Sequence, residues 1–411
     1  EEYNYLIPDN SQIVPDRIVA ERTSPTNISL SMLSIISAYD LGFITITETL
    51  NKNTKIVETI KRLEKFKGHL LNWYEIKTLN PLPPKYISSV DSGNFIGHLV
   101  VLHEFYKKYQ FHALLNELSL KNEKDLDQSN FSAKSINSLY QLALKDNDYA
   151  DLLKYLDWVE HIPQIERLAK ESKLPKRLTD INNILSHRVP SLNLIYKLTN
   201  RLLKLEKLTK EEQISELNPL FEKLKNTRAV IIEEINNSNK LAKEVESIIN
   251  ETELGFLYEQ RNKLLTIGFN LDKGQKDNSY YDLLASEARL ASLIGIAKGD
   301  LPLEHWFTLG RTMTKASGGS ALLSWSGTMF EYLMPILVMK NVKNSLLDRT
   351  YKAVVKTQKS YAKSHKIPWG ISESAYSGVD FHNTYQYKAF GIPGLGLKRG
   401  LTQDFVISPY S

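Results

Sequence analysis

Apolar residues recur at helical spacing through most of this chain. In SPTNISLSMLSIISAYDLG (24–42) the stripe Ile28, Met32, Ile35, Ile36 and Tyr39 follows Ser24 or Thr26 as a helix cap. Gly42 comes next, where a left-handed C-cap is wanted. LNLIYKLTNRLLKLEKL (192–208) and TRAVIIEEINNSNKLAKEVESIIN (227–250) keep the same period. Their heptads do not persist long enough for a coiled coil, so paired amphipathic helices are predicted. Further helices are expected at about 281–297, 322–339 and 345–365. Two stretches interrupt the pattern as polar, aromatic loops, at 68–75 and 81–94. Pro81, Pro83 and Pro84 oppose helix there, and Asp91 to Asn94 reads as a turn into the next helix. Between 255 and 278 short apolar runs predict one small strand pair, FLYEQ with LLTIGFN. The pattern therefore predicts an all-α fold of helix pairs with almost no sheet, either a solenoid or a closed helical toroid. The absence of a fixed repeat period disfavours the solenoid.

Glycine sharpens the division: four occur in residues 1–97, none in 98–254 and fifteen in 255–411. A long stretch without glycine has little room for tight turns, so residues 105–254 are expected to be a variable, mostly helical portion. Of the 411 residues 42% are apolar and 24% charged, which is ordinary for a globular chain. The formal charge of +5 is mild and its Lys and Arg are interleaved with Glu and Asp, so no nucleic-acid partner is expected. The lack of cysteine excludes a disulfide framework, a thiol nucleophile and Cys-ligated zinc, and fits a reducing compartment. EEYNYLIPDN is acidic and polar where a secretory signal would be basic, then apolar. LLSWSGTMFEYLMPILVM (322–339) holds Glu331 and Pro335, so a buried helix is predicted there in preference to a membrane span. His103, His112, His161 and His187 have no ligand spacing and read as surface or packed histidines. No metal or cofactor is expected.

The chemistry gathers in residues 279–400, where carboxylates, aromatic rings and glycines mix. An ionised carboxylate in apolar surroundings is costly unless paired, hydrogen-bonded or protonated. Glu287 in YYDLLASEARLASLIGIAKG falls at helical spacing from Leu283, Leu284 and Leu290, on the side expected to be buried. It is either functional or paired with Arg289 or a distant Arg. Glu373 lies in PWGISESAY, a loop that also offers Trp369 and Tyr376. Glu331 lies in SWSGTMFEYLMP, with a structural or substrate-binding role in view. Two carboxyl groups among aromatic platforms suit cleavage of a sugar chain, where one acid must keep its proton and the other must not. Trp73, Tyr74 and Trp325 join Trp369 and Tyr376 as candidate platforms. GISES lacks the second glycine of a nucleophile elbow, and GIPGLGLKRG is not set in a dinucleotide-binding unit. The glycines of the latter suit close backbone approach to a ligand or a neighbouring helix. Lys398 and Arg399 read as donors to sugar hydroxyls or as ion-pair partners.

These motifs are also those of a known family. RTSPTNISL (22–30), GHLLNWYE (68–75), SSVDSGNFIGHL (88–99), DNSYYDLLASEARLASLIGIAKGD (277–300), HWFTLGR (305–311), SWSGTMFEYLMP, PWGISESAY and YQYKAFGIPGLGLKRGL stand in order along the chain. Together they resemble the glucoamylase-like middle region of bacterial cyclic β-1,2-glucan synthases. The resemblance implies a single (α/α)6 toroid over residues 1–411, with the 105–254 portion inside it. It implies further helices beyond VISPYS, so the toroid of this chain is expected to be incomplete at its C-terminal end. It implies a retaining transglycosylase that closes linear β-1,2-glucan into rings, with Glu287 as acid/base and Glu373 as nucleophile. Arg22, Asp91, Asp282 and Tyr387, which stand in the matched motifs, join the expected substrate-binding set with Glu331. Synthases of this kind also carry glycosyltransferase and phosphorylase regions, so cytoplasm or the cytoplasmic face of the inner membrane is the expected location. A β-1,2-glucan hydrolase and a catalytically silent glucan-binding domain are the alternatives.

Overall fold

The computed structural model describes residues 2–115, 136–164, 190–206, 211–381, 383–398 and 405–408. The chain is mostly helical with small sheets, and it divides into two units. One comprises residues 1–31, 59–101 and 247–411, and the other residues 32–58 and 102–246.

Local sequence signals account for the main helices. Helix α1 (Pro25–Asp40) starts on Ser24, whose Oγ accepts from the Asn27 amide at 3.2 Å, and has Pro25 in its first position, where the missing N–H costs nothing. It ends as expected at Gly42, φ +81°, with the Gly42 and Phe43 amides donating to Tyr39 and Ala38. In α2 (Ile46–Arg62) Thr45 and Glu48 form a reciprocal capping box. Helix α3 is Ser89–Lys107, α4 Ile136–Lys145, α5 Leu192–Glu206 and α6 Glu211–Glu251, a run of 41 residues that includes the expected 227–250 segment. After these come α7 (Arg289–Lys298), α8 (Met329–Leu333) and α9 (Leu346–His365). Among the described residues no helix is long and apolar enough to cross a membrane.

The second unit closes on buried aromatics whose polar tips are all answered. Tyr106 accepts from Asn53, Tyr109 donates to Glu234 at 2.8 Å, and Tyr155 shares a hydrogen bond with Thr47 at 3.0 Å. Of its histidines, His112 stacks on Phe105, His161 bonds Gln164 and His103 lies beside Glu104. His187 lies outside the described residues.

The first unit departs from the all-α expectation. Among the described residues the chain forms six small antiparallel sheets. The largest has five strands in the order Gln275–Lys276, Gly268–Asn270, Pro81–Ser88, Asn72–Glu75 and Arg22–Thr23. Both stretches expected to be loops therefore contribute strands. The prolines of Pro81–Ser88 are tolerated because Pro81, opposite Tyr74, is the strand's first residue, Pro83 and Pro84 fall where the register with Asn72–Glu75 shifts, and pairing with Gly268–Asn270 is confined to Tyr86, Ile87 and Ser88. Asp91 to Asn94 is the first turn of α3, started by Ser88, whose Oγ accepts from the Asp91 amide. The expected strand pair is present, with Tyr258 opposite Leu265, and Tyr280–Tyr281 adds a third strand to it.

Two expected helices are shorter than their apolar pattern. The 281–297 helix begins only at Arg289, because Asp282 to Leu284 bridges to Gly310 instead. The 322–339 segment is a strand end at Leu322, a turn through Gly327 at φ +76°, the five-residue α8 and a 3₁₀ turn that starts at Met334 ahead of Pro335. Part of its apolar pattern is buried all the same: Leu322, Met329 and Tyr332 share a core with Leu284, Val354 and Phe390, while Leu337 is exposed.

Candidate functional site

Glu331 organises the loop before α8. Thr328 caps that helix, and Glu331 answers from the third position in a capping box. Besides the Thr328 amide, at 3.1 Å, its carboxylate gathers Ser324 Oγ at 2.9 Å and the Ser326 amide at 3.0 Å. A carboxylate 5% exposed is tolerated because those donors replace the water it has lost. The same loop is clasped by residues 391–398. Ser324 donates to Leu395 O, and Lys398 donates through its amide to Trp325 O at 2.8 Å. A Cβ on Gly391 would stand 1.8 Å from Ser326 O, so GIPGLG packs backbone against backbone. The neighbour its glycines admit is a loop.

Glu287 sits in the turn that delivers the chain to α7. Arg289, 1% exposed, ties that turn to α8: its guanidinium donates to Ser286 O at 2.7 Å, to Glu331 O at 2.6 Å and to Tyr332 O. So the arginine next to Glu287 serves carbonyl groups. Helix α7 approaches α3 closely, since Cβ atoms on Gly93 and Gly97 would collide with Ala291 and Leu290. Burial, then the charges of Glu331 and Glu373, push the Glu287 carboxyl up to about 8. Ser286 Oγ lies 3.4 Å from its Oε2.

Glu373 is held from the other side. Gln358 of α9 clamps Ile371 through both ends of its amide, at 2.7 and 2.9 Å, and Ser372 Oγ accepts from the Phe330 amide. Glu373 follows at once, at the root of a hairpin of Ser374–Val379 with Tyr385–Lys388. Tyr387 donates to its Oε2 at 2.7 Å. Burial raises its carboxyl; the Tyr387 hydrogen bond opposes this, Glu331 adds to it and Lys398 opposes it. Tyr281 lies in the field of both carboxyls: its phenol is pushed up by burial, then by Glu287, Asp91, Tyr86 and Glu373. Asp91, which sequence reasoning named, is fixed by Thr26 Oγ1 at 2.6 Å and Asn72 Nδ2 at 2.8 Å. Glu287, Glu331, Glu373, Tyr281, Asp91, Tyr387 and Lys398 thus share one electrostatic neighbourhood.

The remaining expected binding residues are dispersed around the same unit. Arg22 stacks over Trp73 at 4.8 Å and pairs with Asp9. Trp369 is 41% exposed with Lys359 over its ring, Trp325 is half-buried, and Tyr376 packs edge-on against Phe390. Asp282 keeps a buried Oδ1 without a protein partner. Tyr74 offers no face to a ligand: it is fully buried, accepting from the Leu71 amide and donating to Glu64 O. Arg399 lies outside the described residues. Tyr281 and Arg289 are the residues that the sequence reading did not place in the site. Their only signal is proximity, Tyr281 in the same motif as Asp282 and Glu287, Arg289 two positions past Glu287.

The chain is similar to several known proteins. Residues 279–411, which hold both raised carboxyls, match the Glycoamylase family, described as "Putative glucoamylase". The chain is 36% identical over 422 aligned positions to the cyclic β-(1,2)-glucan synthase NdvB of Rhizobium meliloti. All of this chain is covered, and it spans 14% of that synthase's length. Among solved structures, an endo-β-1,2-glucanase from Talaromyces funiculosus in complex with β-1,2-glucan has a TM-score of 0.56 at 10% identity, covering 100% of this chain and 67% of that one. A "putative glucoamylase" from Bacteroides caccae has a TM-score of 0.51 at 12% identity, covering 95% of this chain and 70% of that one. Residues 279–411 are glucoamylase-like, and the chain shares a fold with these two solved structures.

Proposed function

We propose that this chain, similar throughout to a stretch of a cyclic β-1,2-glucan synthase, cleaves and re-forms β-1,2-glucan linkages by double displacement, on the (α/α)6 scaffold that the resemblance implies. One observation carries the reading: two carboxyls in one neighbourhood, both raised by burial, of which Glu373 has a hydrogen-bond donor and a cation opposing its rise. Glu287 is held protonated at neutral pH, at about 8, while Glu373 accepts from Tyr387 and faces Lys398. In the first step Glu373 attacks the anomeric carbon, the C–O bond to the leaving sugar breaks, and the Glu287 proton passes to the departing oxygen. Glu287, now a carboxylate beside Glu331, is a strong base for its environment. In the second step it takes the proton of a 2-hydroxyl, that oxygen bonds to the anomeric carbon, and Glu373 is released. Attack by the far end of the same chain yields a ring, and it outruns water where the hydroxyl is held close. Trp73, Trp325, Trp369 and Tyr376 are the platforms we assign to the sugar rings.

Mass spectrometry of products from linear β-1,2-glucan, beside a Glu373→Gln control, tests this. Products one water lighter than linear chains, absent in the control, are expected. Shortened linear chains alone would make the protein a hydrolase, the activity named for its Talaromyces structural neighbour. An unchanged substrate that still binds would reduce it to a glucan-binding domain.

A further inference from the structure

Tyr387 reads from the sequence as a substrate contact, and its ring is exposed on the outer strand of the hairpin. Its hydroxyl, however, is directed at Glu373 Oε2, 2.7 Å away. The geometry is built by the hairpin: Ala375 pairs with Tyr387 and Ser374 with Lys388, so the strand that leaves Glu373 is in register with the strand that returns Tyr387. The turn of this hairpin is also held. Gln12, 5% exposed, donates to Asn383 O at 2.7 Å and accepts from the Tyr385 amide at 2.8 Å, and Asn383 Nδ2 donates to Asp16 at 2.9 Å. Within the turn, Asp380 and Thr384 close on one another through two bonds at 3.0 Å. The tyrosine is thus presented by an anchored ribbon.

We propose that Tyr387 is a positioning residue for the nucleophile: its phenol fixes the rotation of the Glu373 carboxylate through Oε2 and favours the ionised form that attacks. The inference rests on the reading of Glu373 as nucleophile and gives Tyr387 a task other than holding sugar. An O–H donor to a carboxylate stabilises the charged state more than the neutral one. The other groups facing Glu373 pull both ways. Burial and Glu331 on α8 oppose ionisation, Lys398 favours it, and Glu287 before α7 and the Tyr281 phenol are neutral at neutral pH. Tyr387 donates to Oε2, and Lys398 also favours the charge.

The test is Tyr387→Phe, which keeps the ring and removes the hydroxyl. The pH dependence of kcat/KM for cleavage of linear β-1,2-glucan should shift its acid limb to higher pH. At neutral pH kcat should fall about ten- to a hundredfold with KM little changed. An unmoved acid limb with a raised KM would overturn the proposal and return Tyr387 to a substrate contact. The second measurement needs no activity: carboxyl-labelled NMR titration of the unliganded protein, with the Glu373 signal assigned by its loss in Glu373→Gln. A Glu373 titration at higher pH in Tyr387→Phe than in wild type supports the proposal, and coincident titrations refute it. Failure of the nucleophile reading itself would appear separately, as cleavage that survives Glu373→Gln.

Discussion

Glu287 shows how competing effects are settled at one residue. It precedes α7, and the N-terminus of a helix favours a negative charge there, by roughly 0.3–1 kcal/mol at an exposed site. Burial and two neighbouring carboxyls oppose that charge and win, moving the group from 4.5 to about 8. Between those values the folded protein keeps a proton that the unfolded chain releases, so this group's contribution to stability is complete below the unfolded value. It is lost as pH rises through about 8. Glu287→Gln imitates the protonated state permanently. Its melting temperature should match wild type near pH 4 and exceed it near pH 8, by a stability gain on the order of 1 kcal/mol. Melting curves that stay parallel across this range would remove the basis for calling Glu287 the acid. Glu331 beside it is 5% exposed, and its carboxylate is met by donors from its own loop. The three glutamates were legible in the sequence as carboxylates in apolar company. Their separate roles were not, because roles depend on which donors reach each oxygen.

At the scale of elements, the site is held by loops clasped to one another. The Trp325–Gly327 turn and the 391–398 segment exchange backbone hydrogen bonds directly, which requires residues without side chains at the contact, and Ile371 O accepts from the Met329 amide at the start of α8. Gly391→Ala places a Cβ against the Ser326 carbonyl, a backbone atom that cannot rotate away. The loop must move, at a cost of about 1–3 kcal/mol, and the donors on Glu331 move with it. Chemical denaturation should show that loss, and glucan cleavage should fall as well. Wild-type stability in Gly391→Ala would mean that this contact is looser than the structure places it. The periodicity of 281–297 and 322–339 correctly identified buried segments, but it overestimated the helices. Strand-like bridging at Leu283 and the turn at Gly327 divert the backbone bonds that a helix would need. The prolines of 81–84 misled in the other direction, because a strand tolerates them at its first residue and where its register shifts.

Across the whole molecule the charge is modest, +5 over 411 residues, and glucan is uncharged. Recognition through aromatic faces and hydroxyl hydrogen bonds should therefore respond weakly to ionic strength. We expect kcat/KM to change by less than about twofold between low and high salt. A steep decline would point to an anionic ligand in place of neutral sugar. The sequence by itself determined which segments are buried, where α1 and α9 begin, and which carboxylates and aromatics lie in apolar surroundings. All of these follow from local spacing and capping chemistry. It also carried the resemblance to the glucan synthase region, because ordered motifs survive divergence that erases the rest. Only the tertiary structure decided that Tyr74 is packed away, that Arg289 serves carbonyl groups and that Tyr387 faces Glu373. Each of those depends on partners between 10 and 62 positions distant, brought near by strand register and loop contact. Periodicity along the chain records how much of a residue is buried, while the direction of a hydrogen bond exists only once the partners have met.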